Sequence, residues 1–138
     1  MAIYSKPVSK EYLENWETIH NMKKKIYLAG PMRGIPEFNF PAFFATADKL
    51  REQGHEVFNP AQRDVEKYGI EVCQSPSGNL GEINPKIQFS IREAMEADSV
   101  FICRYADAIA LMPGWETSKG ANAEKLLAEA IGLEVIYL

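Results

Sequence analysis

Three short stretches hold most of the residues that could do chemistry. They are Gly30-Pro31-Met32-Arg33-Gly34, Asn59-Pro60-Ala61-Gln62, and Pro113-Gly114-Trp115-Glu116-Thr117-Ser118-Lys119-Gly120-Ala121-Asn122-Ala123-Glu124. The first is a small glycine turn. Such turns expose backbone N–H groups to anions, and Arg33 adds a fixed charge whose fork geometry suits phosphate. Neither GxGxxG nor a P-loop is present, which argues against a dinucleotide or Mg-ATP site of those types. In the third stretch, Gly120 and Ala121 permit a ligand to approach the backbone closely. Glu124 follows in the first or second turn of a predicted helix, near the positive end of its dipole, which favours the ionised form. An ionised carboxylate aimed into a pocket is a nucleophile or a cation stabiliser. The competing reading is a glutamate that merely favours a helix start, and on composition alone that reading leads. A second carboxyl near Glu124 would give two groups with separable roles, as in glycosidic bond cleavage. Asp98, on the preceding helix, suits this better than Asp107, which sits at the wrong end of its strand; the alternative for Asp98 is a solvated helix residue. Trp115 either stacks on a ligand or packs in the core. Cys73 and Cys103 have no His at ligand spacing, and His20 and His55 stand alone, so neither a metal site nor a cofactor is expected.

These residues need elements to position them. Lys25-Ile26-Tyr27-Leu28-Ala29 reads as a strand stopped by Gly30-Pro31. Pro41 fits the first turn of a helix running to about Gln53, which buries Phe43, Phe44, Ala47 and Leu50 and closes at Gly54. His55 to Phe58 is a second strand. Residues 61–85 read as a long polar loop, functional or mobile. A helix over 86–105, a buried strand over 107–112, a helix from about Ser118 to Ile131 and a last strand over 134–138 complete the pattern. Strands alternating with helices predict an α/β fold: a three-layer, Rossmann-like sandwich around a mostly parallel sheet of four or five strands. In such a sheet ligands bind at the carboxyl ends of the strands. The three stretches therefore converge on one pocket, walled by Met32, Asn59 and Trp115. Residues 1–24 form an appendage to this 25–138 domain. Ser9 is a candidate N-cap, and Tyr12, Leu13, Trp16 and Ile19 share one helical face. That face predicts packing on the body or on a second copy, hence a homodimer or larger homo-oligomer.

The balance of residues removes several function classes. The chain has 138 residues, 46% hydrophobic and 25% charged, with a net charge of −4. Residues 1–25 carry five Lys and three Glu, hence +2; the rest carries ten basic and sixteen acidic residues, hence −6. A body at −6 is a poor surface for nucleic acid polymers. No apolar run nears the roughly 20 residues that span a bilayer, and no signal peptide is read at the start. A cytoplasmic protein with reduced thiols is the expectation.

The motifs resemble a known family. Tyr27-Leu28-Ala29-Gly30-Pro31-Met32-Arg33-Gly34, Asn39-Phe40-Pro41-Ala42-Phe43 and the run from Leu111 to Glu124 are similar to small uncharacterised bacterial and phage proteins. Those are related to nucleoside 2-deoxyribosyltransferases and 2′-deoxynucleoside 5′-phosphate N-hydrolases. The resemblance covers residues 25–138 and implies a nucleoside deoxyribosyltransferase-like fold. In the enzymes a Tyr in the first strand positions a catalytic Glu; Tyr27 and Glu124 match those places. An Asp on the helix before the third strand assists, and Asp98 matches with a spacing one residue longer. In the hydrolases a Gly-Ser-Ile-Arg-Gly turn binds the 5′-phosphate. Gly30, Met32, Arg33 and Gly34 match it, with Pro31 in place of the Ser. A Ser before the catalytic helix also binds phosphate; Ser118 matches, with Gly120 close by. The 61–85 stretch has no counterpart. The enzymes also carry residues after the last strand that complete a neighbour's site, and this chain ends at Leu138. Pro113-Gly114 with Gly120-Ala121-Asn122-Ala123-Glu124 is similar, across an insertion, to the Pro-Gly-Gly-x-Gly-Thr-x-x-Glu motif of cytokinin-activating phosphoribohydrolases. Both resemblances imply N-glycosidic bond chemistry on a small-molecule nucleoside or nucleotide. The rival expectations are a non-catalytic nucleotide-binding module, acting as sensor or sponge, and a structural or assembly protein.

Overall fold

Side-chain alternation sorts the two central strands, β1 (Lys25–Ala29) and β3 (Ala108–Leu111), onto two faces. They pair in parallel with Ile26 beside Ala108 and Tyr27 beside Ile109, so like-facing residues stay in register. Ile26, Leu28, Ala108 and Ala110 face one core, which holds Phe40, Phe43, Ala47 and Leu50 of α1 (Phe40–Glu52). Tyr27, Ala29, Ile109 and Leu111 face the other. Its partners are Ile102 of α3 (Ile91–Arg104) and Ala121 and Ala128 of α4 (Lys119–Ala130). Both strands are buried on both faces, as a parallel sheet covered by helices requires. The computed structural model describes residues 9–13 and 23–138.

The edge strands are β2 (Glu56–Phe58) and β4 (Glu134–Tyr137), and the order is β2-β1-β3-β4 with every pair parallel. The three-layer α/β sandwich expected from the sequence is what the chain forms, with four strands. From β1 the chain steps to β2 on one side; from β3 it steps to β4 on the other. Right-handed crossovers in opposite directions put α1 and α4 on opposite faces. They also open a crevice where the order reverses, at the carboxyl ends of β1 and β3.

The polar loop expected over 61–85 is the main correction. Its first part is a helix, α2 (Pro60–Tyr68), followed by short 3-10 turns at Ile70–Cys73 and Leu80–Glu82. Pro60 takes the first helical position, and the Asn59 side chain caps it by accepting from the Ala61 N–H at 3.0 Å. Ala61, Val65 and Tyr68 turn one face to the α1 core while Gln62, Glu66 and Lys67 lie outward. The helix expected over 86–105 begins later, at Ile91, because Ser90 Oγ accepts from the Glu93 N–H at 3.2 Å.

The loop after β1 is strained and clipped in place. Glu37, Phe38 and Asn39 have φ of 56°, 51° and 63°, the left-handed region, which costs roughly 1–2 kcal/mol per non-glycine residue. The Glu37 N–H donates to the Ser75 carbonyl at 2.8 Å, and the Gly34 N–H to that of Gly78 at 3.0 Å. Asn39 Nδ2 donates to the Pro31 carbonyl at 3.0 Å. Gly78 is obligatory: its φ is +76°, and a Cβ there would lie 2.2 Å from the Ile35 oxygen. At the other end, Ser9 Oγ accepts from the Tyr12 N–H at 3.1 Å, the cap the sequence suggested, and Tyr12 and Leu13 are exposed. Trp16 and Ile19 lie outside the described residues. Among the described residues no helix is long and apolar enough to cross a membrane.

Candidate functional site

The crevice at the ends of β1 and β3 holds a cavity of about 410 Å³. Its floor is polar, with Tyr27, Asp98 and Glu124 joined by Arg63 and Asp64 of α2. One wall is the turn Gly30 to Arg33 and the start of α4 from Thr117 to Ala121. Apolar side chains complete the lining, among them Phe38, Leu80, Ile83, Phe89 and Met95.

Local rules put Glu124 on the floor. Ser118 caps α4, its Oγ accepting from the Ala121 N–H at 3.1 Å. Asn122, which sequence reasoning passed over, donates from Nδ2 to the carbonyls of Trp115, Glu116 and Ser118 at 3.2, 3.0 and 2.8 Å. The turn before the helix is thereby pinned. From the second turn of α4, Glu124 meets β1, where the Tyr27 hydroxyl donates a short hydrogen bond to its Oε2. Gly30 lets β1 end against β3, since a Cβ there would come within 2.8 Å of Met112 Cβ.

The charges are buried together. Tyr27, Asp98 and Glu124 are 1%, 6% and 7% exposed. Burial pushes the Glu124 carboxyl well above its usual range, the Asp98 charge pushes it further, and the Tyr27 hydrogen bond only partly opposes them. Desolvation works against the ionised state expected from the helix dipole. Glu124 is the sixth residue of α4, beyond the turn where the dipole acts, and desolvation dominates. Burial also raises Asp98, but Arg63 opposes that shift. Arg63 Nη1 lies 2.5 Å from Asp98 Oδ1, and its Nε and Nη2 reach Asp64 Oδ1 at 3.1 and 2.9 Å. Two adjacent carboxyls with one cation between them and the α2 acid favour a pair that shares one proton, ready to act as acid and base. Burial likewise lifts the Tyr27 phenol, with Glu124 and Asp98 adding to it, so it stays a donor.

At the mouth, Arg33 is exposed and makes no ion pair among the described residues. Lys119 and Ser118 also line the cavity. This end has the donors an anion needs.

The DUF4406 profile, a domain of unknown function, matches residues 24–137. The chain belongs to the DUF4406 family. No curated protein and no solved structure matches it.

Every floor and mouth residue of the cavity falls inside the DUF4406 span. The fold brings together eight of the residues singled out in the sequence: Tyr27, Gly30, Met32, Arg33, Asp98, Ser118, Gly120 and Glu124 all line this cavity. Three others do not. Asn59 is buried below the end of β2 as the α2 cap, and its Nδ2 has no partner. Trp115 takes the core-packing alternative, half-buried against the second core, with Tyr137 at 5.9 Å between ring centroids and Lys125 Nζ at 5.3 Å over the ring. Gly34 lies in a shallow groove next door, and its N–H is already bound to Gly78. Arg63 and Asp64 escaped notice because they sit in the stretch read as loop. Asp107 is used at the amino end of the sheet, where Oδ2 accepts from the Lys25 N–H at 2.8 Å. His55 Nδ1 accepts from the Lys24 N–H at 3.2 Å, and Cys73 and Cys103 are free thiols. Among the described residues no group of three His, Cys, Asp or Glu is placed to hold a metal ion.

Proposed function

We propose that this DUF4406 chain cleaves or exchanges the N-glycosidic bond of a nucleoside 5′-monophosphate, with Glu124 as the nucleophile. The observation that carries the reading is the Tyr27–Glu124–Asp98 cluster, buried at the floor of a cavity whose mouth presents Arg33, Lys119 and Ser118. The family resemblance of the motifs supports the same roles.

The chemistry follows from one shared proton. At rest it lies on Glu124, the carboxyl without a cation. The reactive arrangement has it on Asp98. Glu124, now anionic and oriented by Tyr27, forms a bond to C1′ while the C1′–N bond breaks. The departing electron pair goes to the base, which takes the proton from Asp98. Water then attacks C1′ of the glycosyl ester and gives a proton to Asp98, and the C1′–O bond to Glu124 breaks. A second base in place of the water makes the reaction a transfer. The apolar side chains of Phe38, Ile83 and Phe89 give the base a surface to pack on.

Incubation with a panel of nucleoside monophosphates, followed by chromatography, tests this. Free base is expected from at least one of them and not from Glu124→Gln. A panel that yields no base removes the reaction.

A second reading rests on the buried, hydrogen-bonded setting of Glu124, which favours its protonated form. A protonated, hydrogen-bonded acid can grip a ligand without reacting, which makes the chain a nucleotide-binding module. Tight stoichiometric binding without turnover supports that reading; turnover removes it.

A further inference from the structure

Arg63 is clamped from three sides. Its Nη1 reaches the Ala94 carbonyl at 3.1 Å and Asp98 at 2.5 Å, both on α3. Its Nε and Nη2 are held by Asp64 on its own helix, and its guanidinium lies 5.9 Å from the centre of the Phe58 ring. Among the described residues no hydrogen bond or ion pair joins Arg63 to Glu124, which the Arg63 charge reaches only from further off; Glu124 accepts instead from the neutral hydroxyl of Tyr27. Of two carboxyls that share a proton, the one in contact with a cation keeps the charge.

We propose that Arg63 is the positioning residue of the carboxyl pair: it fixes Asp98 as the anionic member and so leaves the shared proton on Glu124. The mechanistic use of that proton rests on the reaction proposed above. Its location is a property of the folded chain alone. The groups facing the pair are Tyr27 from β1, Arg63 and Asp64 from α2, Asp98 from α3 and Glu124 from α4, with Lys67 acting from outside on Asp64. Asp64 gives the guanidinium a second anchor, so it cannot swing towards Glu124 to even out the two acids. Arg63 opposes the rise of Asp98, in the sense this asymmetry demands.

The test is a carbon-13 NMR titration of the full chain with labelled Asp and Glu side chains, assigned with Asp98→Asn and Glu124→Gln. In the wild type the last proton lost from the pair is expected to report at the Glu124 carboxyl carbon, with Asp98 already ionised at lower pH. Arg63→Gln combined with Asp64→Asn removes the cation without leaving Asp64 unpaired. There Asp98 is expected to take a share of the proton, and the midpoint for its loss to move up by about one pH unit or more, a tenfold change in proton affinity. Arg63→Lys keeps the charge in the same place and is expected to leave the proton mainly on Glu124. Should the double variant not fold, Arg63→Lys alone decides, since a proton moved to Asp98 there overturns a role for the charge. Titrations of Asp98 and Glu124 that match the wild type in the double variant also overturn the proposal. The two readings fail separately. Shifted titrations without any base release remove the reaction and keep Arg63; base release with unshifted titrations does the reverse.

Discussion

Exchanging Glu124 for glutamine preserves shape and hydrogen bonding while removing the ability to ionise. Base release is expected to fall by several orders of magnitude in Glu124→Gln, with nucleotide binding retained; full activity would remove Glu124 from the mechanism. Stability moves the other way. Glu titrates near 4.3 in an unfolded chain, and Glu124 titrates higher when folded. Its protonated form therefore favours the fold at low pH, and that contribution is lost as pH rises through the folded value. Above it the buried carboxylate opposes folding, a penalty the glutamine lacks. The melting temperature of Glu124→Gln relative to wild type is expected to climb as pH rises from the unfolded value through the folded one; a variant that loses ground as pH rises contradicts the burial argument. Arg33 acts at the other end of the cavity. Nucleotides are expected to bind more tightly than their nucleosides, and Arg33→Ala should remove most of that preference, a loss of roughly 1.5–3 kcal/mol for a charge-assisted contact. Calorimetry on matched pairs checks it, and equal affinities in the wild type would sink the phosphate assignment.

Gly78→Ala tests the clip between the two loops. The alanine must hold φ at +76° with its Cβ against the Ile35 backbone, so a loss of roughly 2–4 kcal/mol is expected in denaturant unfolding. A neutral result would mean that the 34–38 and 75–82 segments do not need each other. At this scale the sequence was unevenly legible. β1 and β3 announced themselves through continuous apolar runs and Gly or Pro stops, and α4 through its start at Ser118 and its close at Gly132; β1 and α4 carry Tyr27 and Glu124. α2 did not. Its nine residues include Gln62, Arg63, Asp64, Glu66 and Lys67, and only Ala61, Val65 and Tyr68 reach the core, too weak a stripe to stand out. The cap that starts it, Asn59 before Pro60, is equally a strand stop, and was read only as one. Arg63 was lost with its helix. Trp115 took the second of its two expected places: position in a promising stretch does not say which side of the chain a ring takes, and here it packs against the core under α3 and α4 with Tyr137 and Lys125 beside it.

The whole molecule is a sheet whose order reverses between β1 and β3, and that reversal puts both strand ends and the start of α4 around one cavity. Exposed apolar side chains gather elsewhere, at Tyr12 and Leu13 and at Leu126, Ile131, Tyr137 and Leu138 near the β4 edge. A homo-oligomer, with residues 1–24 contributing to its interface, is expected on sedimentation at high micromolar concentration, and deletion of residues 1–21 should weaken it. A clean monomer at full length contradicts this. The two clipped loops carry a consequence for divergence. Their ties, Gly34 to Gly78 and Glu37 to Ser75, run from main chain to main chain. Phe38, Leu80 and Ile83, which these loops hold over the cavity, take no part in them. Apolar-for-apolar substitutions at these three places are expected to reshape what the cavity admits while the main-chain ties remain, at a packing cost for Phe38 and Ile83, which are buried in the α1 core. A lineage built on this frame is free to change its diet without rebuilding its kitchen.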